Sequence, residues 1–181
     1  MNLYFDTEFT GLHKDTTLIS IGIISDNNKT FYAELTDYDK DQVSRWVQNN
    51  VIDNLYLKKS DIGRVDMIDK EHTCFNVSGN KKYVAQALTY WTQQFNDKVY
   101  FISDCLAYDW VLLNDLFGHA FDLPKNIYYI PFDLSTAFKI KGIDPDISRK
   151  EFINNSVKEK KHNSLYDAKV IKECYYKLMD K

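Results

Sequence analysis

Between Thr17 and Ser25 the chain reads TLISIGIIS, a run rich in β-branched residues and apolar on both faces. A strand of that kind has no side to give to water, so it belongs at the centre of a sheet covered above and below. Its neighbours in sequence supply that sheet. Residues 3–12 (LYFDTEFTGL) read as a strand that leaves the sheet at Thr10-Gly11, and Lys29 to Leu35 (KTFYAEL) follows the central strand across the short polar turn Asp26-Asn27-Asn28. Together they make an antiparallel three-stranded opening.

The remaining chain alternates helices and strands. Asp39 or Asp41 caps a predicted packing helix through about Ile52, with Val43, Trp46, Val47 and Val51 at helical spacing. Lys58 to Gly79 mixes a polar helical possibility near Ile62 to Ile68 with a loop through His72 to Gly79. An amphipathic helix is expected from Lys81 to Asn96, striped by Val84, Leu88, Trp91 and Phe95. Then come a strand over Lys98 to Ser103, a helix from Leu106 to Phe117 ended by Gly118, and a short strand at Tyr128 to Pro131. Asp133 or Ser135 caps a helix through about Lys139, and a last helix runs from Leu165 to Met179, buried through Ala168, Ile171, Cys174, Tyr175 and Leu178. No internal repeat or Pro/Ser-rich linker interrupts this order. It predicts one α/β domain over residues 1–181, a mixed sheet of three antiparallel strands and then parallel ones, with helices on both faces.

Within the first strand stand two acids, Asp6 and Glu8. Side chains two apart on a strand share a face and lie roughly 7 Å apart along it. Such a pair repels and resists desolvation unless a cation lies between, and hard oxygen ligands suit Mg²⁺ or Mn²⁺ rather than zinc. Asp37/Asp39, Asp39/Asp41, Asp69/Glu71 and Asp144/Asp146 share the spacing but lie in polar surroundings and read as solvated loops or helix ends. Two further acids fall in the first turns of helices. Asp109 follows the Lys98 to Ser103 strand, where an acid also favours a helix N-terminus. Asp167 opens the last helix, where Ser164 as N-cap would make it the N3 capping residue. Among the four histidines, His162 alone has an aspartate five residues on. An imidazole beside a carboxylate cluster is suited to take a proton from water, because it titrates near neutrality.

Asp6-Thr7-Glu8, the segment ending Tyr108-Asp109, and His162-Asn163-Ser164-Leu165-Tyr166-Asp167-Ala168 resemble the three motifs of the DEDDh branch of DnaQ-like 3′–5′ exonucleases, relatives of RNase T and oligoribonuclease with a ribonuclease-H-like fold. The sister branch carries tyrosine four residues before the last aspartate, where this chain has Asn163. The resemblance implies two divalent cations, Mg²⁺ or Mn²⁺, about 4 Å apart. Asp6 would bridge both, Glu8 and Asp167 would hold the one that activates water, Asp109 the other, and His162 would deprotonate the water. Phe9-Thr10-Gly11-Leu12 looks like the family's continuation of its first motif, which places Thr10 and Leu12 against the terminal nucleotide. One departure stands out. Many relatives have His-Asn where this chain has Asp104-Cys105, so an extra acid stands near the site. It could lower phosphate affinity, accept a hydrogen bond behind the ligands, or compete with Asp109 for metal; the Ala-Tyr-Asp spacing favours Asp109.

The resemblance implies a nuclease acting at nucleic-acid 3′ ends and releasing nucleoside 5′-monophosphates. RNA is preferred slightly, with DNA as the alternative and a non-catalytic nucleic-acid-binding module as the alternative of another class; a small-substrate hydrolase using the same metals is a third. A homodimer is common among such relatives. Lys160 and Lys161, just before His162, read as phosphate contacts on a loop that closes over the site. Net charge of −3 does not oppose a polyanionic substrate: the 26 acidic side chains, less four set aside as metal holders, number 22 against 23 basic ones. No leader or membrane-spanning run is read, so a cytoplasmic location is expected, and Cys74, Cys105 and Cys174 read as reduced thiols rather than a disulfide or zinc framework.

Overall fold

In the computed structural model, which describes residues 1–55, 57, 66–68, 74–154, 156–157 and 162–180, the central strand is where the two-faced apolar run requires it. Strand β1 (Asn2–Phe9) pairs antiparallel with β2 (Leu18–Ser25), and β2 antiparallel with β3 (Thr30–Leu35). Every residue of β2 is buried. Asn28, in the left-handed region at φ 62°, turns the chain between β2 and β3.

Four more strands extend the sheet. Asp66–Ile68 forms β4, Cys74–Gly79 β5, Tyr100–Ser103 β6 and Phe132–Asp133 β7, giving the order β4-β5-β3-β2-β1-β6-β7. The β3–β5, β1–β6 and β6–β7 pairs are parallel. Three expectations are corrected here. The helical possibility near Ile62 to Ile68 is strand at Asp66–Ile68, residues 62–65 lying outside the described ones, and the loop through Gly79 is strand from Cys74 onward. In β5, Phe75 and Val77 face a core while Asn76 and Ser78 are buried between them, so polar residues gave a true strand the composition of a loop. The short strand sits at Phe132–Asp133 instead of Tyr128 to Pro131.

Alternation along β1 builds two cores. Leu3 and Phe5, with Ile21, Ile23, Phe31 and Ala33, face helices α2 (Lys81–Thr92) and α3 (Ala107–Phe117). Tyr4, Ile24 and Ile102 face the other way, toward α4 (Leu134–Ile140), α5 (Arg149–Phe152) and α6 (Ser164–Met179). Helices thus cover both faces, as expected. The packing helix is shorter than predicted: Asp39 caps a 3₁₀ turn at Lys40–Gln42, and Ser44 caps α1 (Arg45–Asn50). Between Glu8 and Phe9 the ladder slips by one residue, so Ile19 drops out of register and packs with Val47 and Val51 of the α1 segment. Among the described residues no helix is long and apolar enough to cross a membrane.

Candidate active site

The β1 alternation that divides the cores also sorts the acids. Asp6 and Glu8 share the face of Tyr4, where α6 packs, and lie opposite Gly22 and Ser20 of β2. Gly22 lets α6 come close: a Cβ built there would fall 2.1 Å from the Leu165 nitrogen and 2.3 Å from the Ser164 carbonyl carbon. Beside it the Ser20 and Ser164 hydroxyls meet at 3.0 Å. That seating delivers Asp167. Carboxylate oxygens of Asp6, Glu8 and Asp167, all partly buried, lie within 4.8 Å of one another. Asn163, not Ser164, caps α6 by accepting from the Tyr166 N–H at 3.2 Å. Asp167 is therefore one residue past the N3 position and takes no capping-box role.

Three acids so close cannot all ionise cheaply. Burial first, then the neighbouring Asp109, Asp167 and Glu8 carboxylates, hold Asp6 well above the usual carboxylate range. Burial, then Asp167 and Asp109, push Glu8 up to about 8. A divalent cation reverses that strain by replacing repulsion with attraction, and an all-oxygen donor set of this kind fits Mg²⁺ or Mn²⁺.

Asp109 reaches the same strand end from the opposite face. Its Oδ1 accepts from the Thr7 N–H at 3.2 Å and the Thr7 hydroxyl at 2.5 Å, and its Oδ2 accepts from the Ser103 hydroxyl. Burial raises it to about 6, the Ser103 and Thr7 hydrogen bonds working against that rise. It lies outside the three-acid group, yet its charge is the largest electrostatic influence on Asp6. Each carboxylate oxygen has a second lone pair, so these bonds do not preclude a cation.

The extra acid, Asp104, is already paired with an arginine. Arg149 donates from Nε to its Oδ2 at 2.7 Å and from Nη2 to its Oδ1 at 2.8 Å, and the Ser135 hydroxyl adds a third bond at 2.7 Å. Of the three roles open for Asp104, the structure has it accept hydrogen bonds behind the cluster.

A cleft of about 710 Å³ opens over the acids, lined among others by Glu8, Leu12, Trp46 and His162. Leu12 projects into solvent, 79% exposed. Thr10 is buried, and its hydroxyl donates to Gln42 Oε1 at 2.6 Å and accepts from the Thr17 N–H at 2.9 Å, so it braces the loop. Gln42 completes the brace, donating to the Asp15 carbonyl and to Asp39 at 3.0 Å each. His162, with φ 62°, stands edge-to-face with Trp46 at 5.1 Å between ring centres. Lys160 and Lys161 lie outside the described residues. Sequence reasoning missed Thr7, Ser103, Gly22 and Gln42. Only Gly22 carried a signal, being a glycine inside a strand.

A model of the 3′–5′ exoribonuclease Rv2179c-like domain matches residues 1–179. Two curated 3′–5′ exoribonucleases of Mycobacterium tuberculosis, MT2234.1 from strain CDC 1551 and Rv2179c from strain H37Rv, are each 31% identical over 64 residues, 35% of this chain and 38% of the relative. The match thus spans well under half of those relatives' length. Among solved structures, the Mg²⁺- and Mn²⁺-bound form of Pop2p from S. pombe superposes with a TM-score of 0.60 at 14% identity, covering 99% of this chain and 83% of that one. The Pan2 catalytic unit of Neurospora crassa, with its protease and nuclease domains, gives 0.50 at 16%, covering 99% and 27%. At such identities the likeness is one of fold, and that fold is the ribonuclease-H-like sheet expected from the sequence.

Proposed function

Because the chain belongs to the family of the 3′–5′ exoribonuclease Rv2179c-like domain, matched from residue 1 to residue 179, we propose that it is a metal-dependent 3′–5′ exoribonuclease releasing nucleoside 5′-monophosphates from single-stranded ends. The observation that carries this reading is the meeting of Asp6, Glu8 and Asp167 within 4.8 Å under a cleft that His162 also lines. Asp6, Glu8, Asp109 and Asp167 would hold two divalent cations, Mg²⁺ or Mn²⁺. When bound, such ions polarise the phosphate, lower the pKa of a water and offset the charge of the transition state.

The chain's own groups do the rest. Asp6 and Glu8 are positioned by β1 and Asp167 by the seating of α6 on Gly22, which brings the three together before any ligand binds. The His162 imidazole accepts the proton of the attacking water. Leu12 lies against the terminal base, and Thr10, its hydroxyl committed within the protein, contributes through its main chain. Lys160 and Lys161 contact the substrate phosphates.

End-labelled single-stranded RNA and DNA of equal sequence, incubated with Mg²⁺, Mn²⁺ or EDTA beside an Asp6→Asn control, test the reading. The expected result is metal-dependent shortening from the 3′ end, faster on RNA and absent in the control. Faster loss of DNA would reassign the substrate. No cleavage by folded protein with either metal would replace the enzyme with a binding module.

A further inference from the structure

Asp104 and Arg149 stand next to the acids, yet the chemistry above uses neither. Asp104 directly follows Ser103, the last residue of β6, whose hydroxyl donates to Asp109. Behind burial, which dominates in both cases, the Asp104 charge adds to the rise of Asp6 and of Asp109. A carboxylate is a costly choice for that position. An asparagine would accept from the Ser135 hydroxyl equally well and would add no repulsion to a group of acids that already repel.

Arg149 accounts for the acid. The two side chains are largely shielded from water, Arg149 15% and Asp104 21% exposed, and the guanidinium grips the carboxylate through both Nε and Nη2. Its other bonds go to the protein as well. Nη1 donates to the Ile147 carbonyl at 2.7 Å, and Nη2 to the Pro145 carbonyl and the Ser135 hydroxyl at 2.8 Å each. The Phe138 ring lies against the guanidinium, its centre 4.6 Å from the central carbon. A cation held by so many partners cannot swing toward a substrate phosphate. Nor does it bond to Asp6, Glu8, Asp109 or Asp167, so it acts on the site through Asp104.

We infer that Arg149 sets how tightly the acidic site holds divalent cations, by cancelling the charge of Asp104 beside it. Without the guanidinium, Asp104 is a bare anion near Asp109 and draws a cation in more strongly. Without the carboxylate charge, a bare guanidinium is left and repels it. The two halves of the pair therefore pull in opposite directions, which a pair serving only to tie segments together does not do. Arg149 is in this sense a positioning residue that touches neither ion nor substrate. The inference rests on the metal-dependent reading and adds to it the residue of α5 that regulates the same site.

Titration calorimetry of Mn²⁺ into the protein without RNA tests this, and needs no turnover. One unit charge several ångströms from a divalent ion, across a partly hydrated protein, changes its affinity roughly tenfold. Arg149→Met should tighten Mn²⁺ binding by about that factor, Asp104→Asn should weaken it by about as much, and the double variant should return close to wild type. Arg149→Lys, which keeps the charge and loses the two-pronged grip, should bind as wild type does. Circular dichroism checks that each variant is folded; should Arg149→Met not fold, Asp104→Asn and Arg149→Lys still decide. Weaker binding in both Arg149→Met and Asp104→Asn would reduce the pair to a structural tie. Unchanged binding in both would put the pair out of reach of the site, and an additional Mn²⁺ in Arg149→Met would make Asp104 a ligand in its own right; each of these overturns the inference. A folded wild type that binds no Mn²⁺ would refute the metal-dependent reading and this inference with it, whereas wild-type binding with variants that do not diverge removes the role of Arg149 alone.

Discussion

The two faces of β1 end in carboxylates held in opposite ways. On the α3 face, Asp109 is enclosed by donors: the Thr7 amide, the Thr7 hydroxyl and the Ser103 hydroxyl. On the α6 face, among the described residues, no side chain donates to Asp6 or Glu8, and their neighbour is another acid. Burial acts on both faces, but hydrogen bonds limit the rise of Asp109 to about 6, whereas Glu8 reaches about 8. One face is already supplied with protein donors. The other is a charge problem that a bound cation would relieve.

The largest expected effect isolates the open face. His162→Ala should lower turnover by about 10²- to 10⁴-fold, the usual range for a positioned base. The rise in melting temperature on adding Mg²⁺ should survive. Loss of that metal-induced rise in the variant would mean that His162 supports the acids rather than the water.

Next in size is a change that pulls the open face apart without touching an acid. Gly22→Ala puts a methyl where the backbone of Ser164 and Leu165 already lies. Overpacking of this sort costs about 1–3 kcal/mol, and displacing Asp167 by an ångström should cost activity on the order of 100-fold. Retained activity would show that the ligand group tolerates a looser α6.

A pair of substitutions then sets the two faces against each other by sign. In metal-free protein, Asp109→Ala strands the Thr7 and Ser103 hydroxyls and should destabilise by about 1–3 kcal/mol. Asp6→Asn removes a buried repulsion and should stabilise, by roughly 1 kcal/mol or about 2–4 °C in a domain of this size. Thermal melts in EDTA decide it. Equal signs would abolish the distinction between the faces.

Local features were legible in the sequence, and contacts between distant segments were not. Asp6 and Glu8 could be read because strand alternation is a two-residue rule, and the central strand because its apolar run is unbroken on both faces. His162 and Asp167 lie on one short segment, so their proximity was visible; that Ser164 gives its hydroxyl to Ser20 and leaves the cap to Asn163 was not, since those serines are 144 residues apart. Asp104 looked like an intrusion because its partner Arg149 stands 45 residues downstream. β5 was hidden for the same reason, as its pairing with β3 joins Thr30 to Cys74. Trp46 was misplaced because helical spacing ranks residues by period, and a six-residue helix resting on one side chain buries only part of its apolar set.

The smallest effect is a slope with pH in metal-free protein. Glu8 has its folded pKa at about 8, above its ordinary 4.5, and Asp109 at about 6, above 3.8. Between those limits the folded chain holds protons that the unfolded chain has released. Stability must therefore fall as pH rises, with both groups contributing up to about pH 6 and Glu8 continuing to about 8. Each excess proton is worth at most about 1.4 kcal/mol per pH unit, or roughly 3–6 °C. Mg²⁺ should act in the opposite sense, because it competes with those protons and binds better as they leave. Melting curves with EDTA and with Mg²⁺ should thus diverge steadily from pH 5 to pH 8. Asp6→Asn should remove most of that divergence, whereas Thr7→Val, which takes one hydroxyl from Asp109, should leave it in place and lower both curves. Parallel curves in wild type would mean that the open face takes up no cation and that its strain serves some other end.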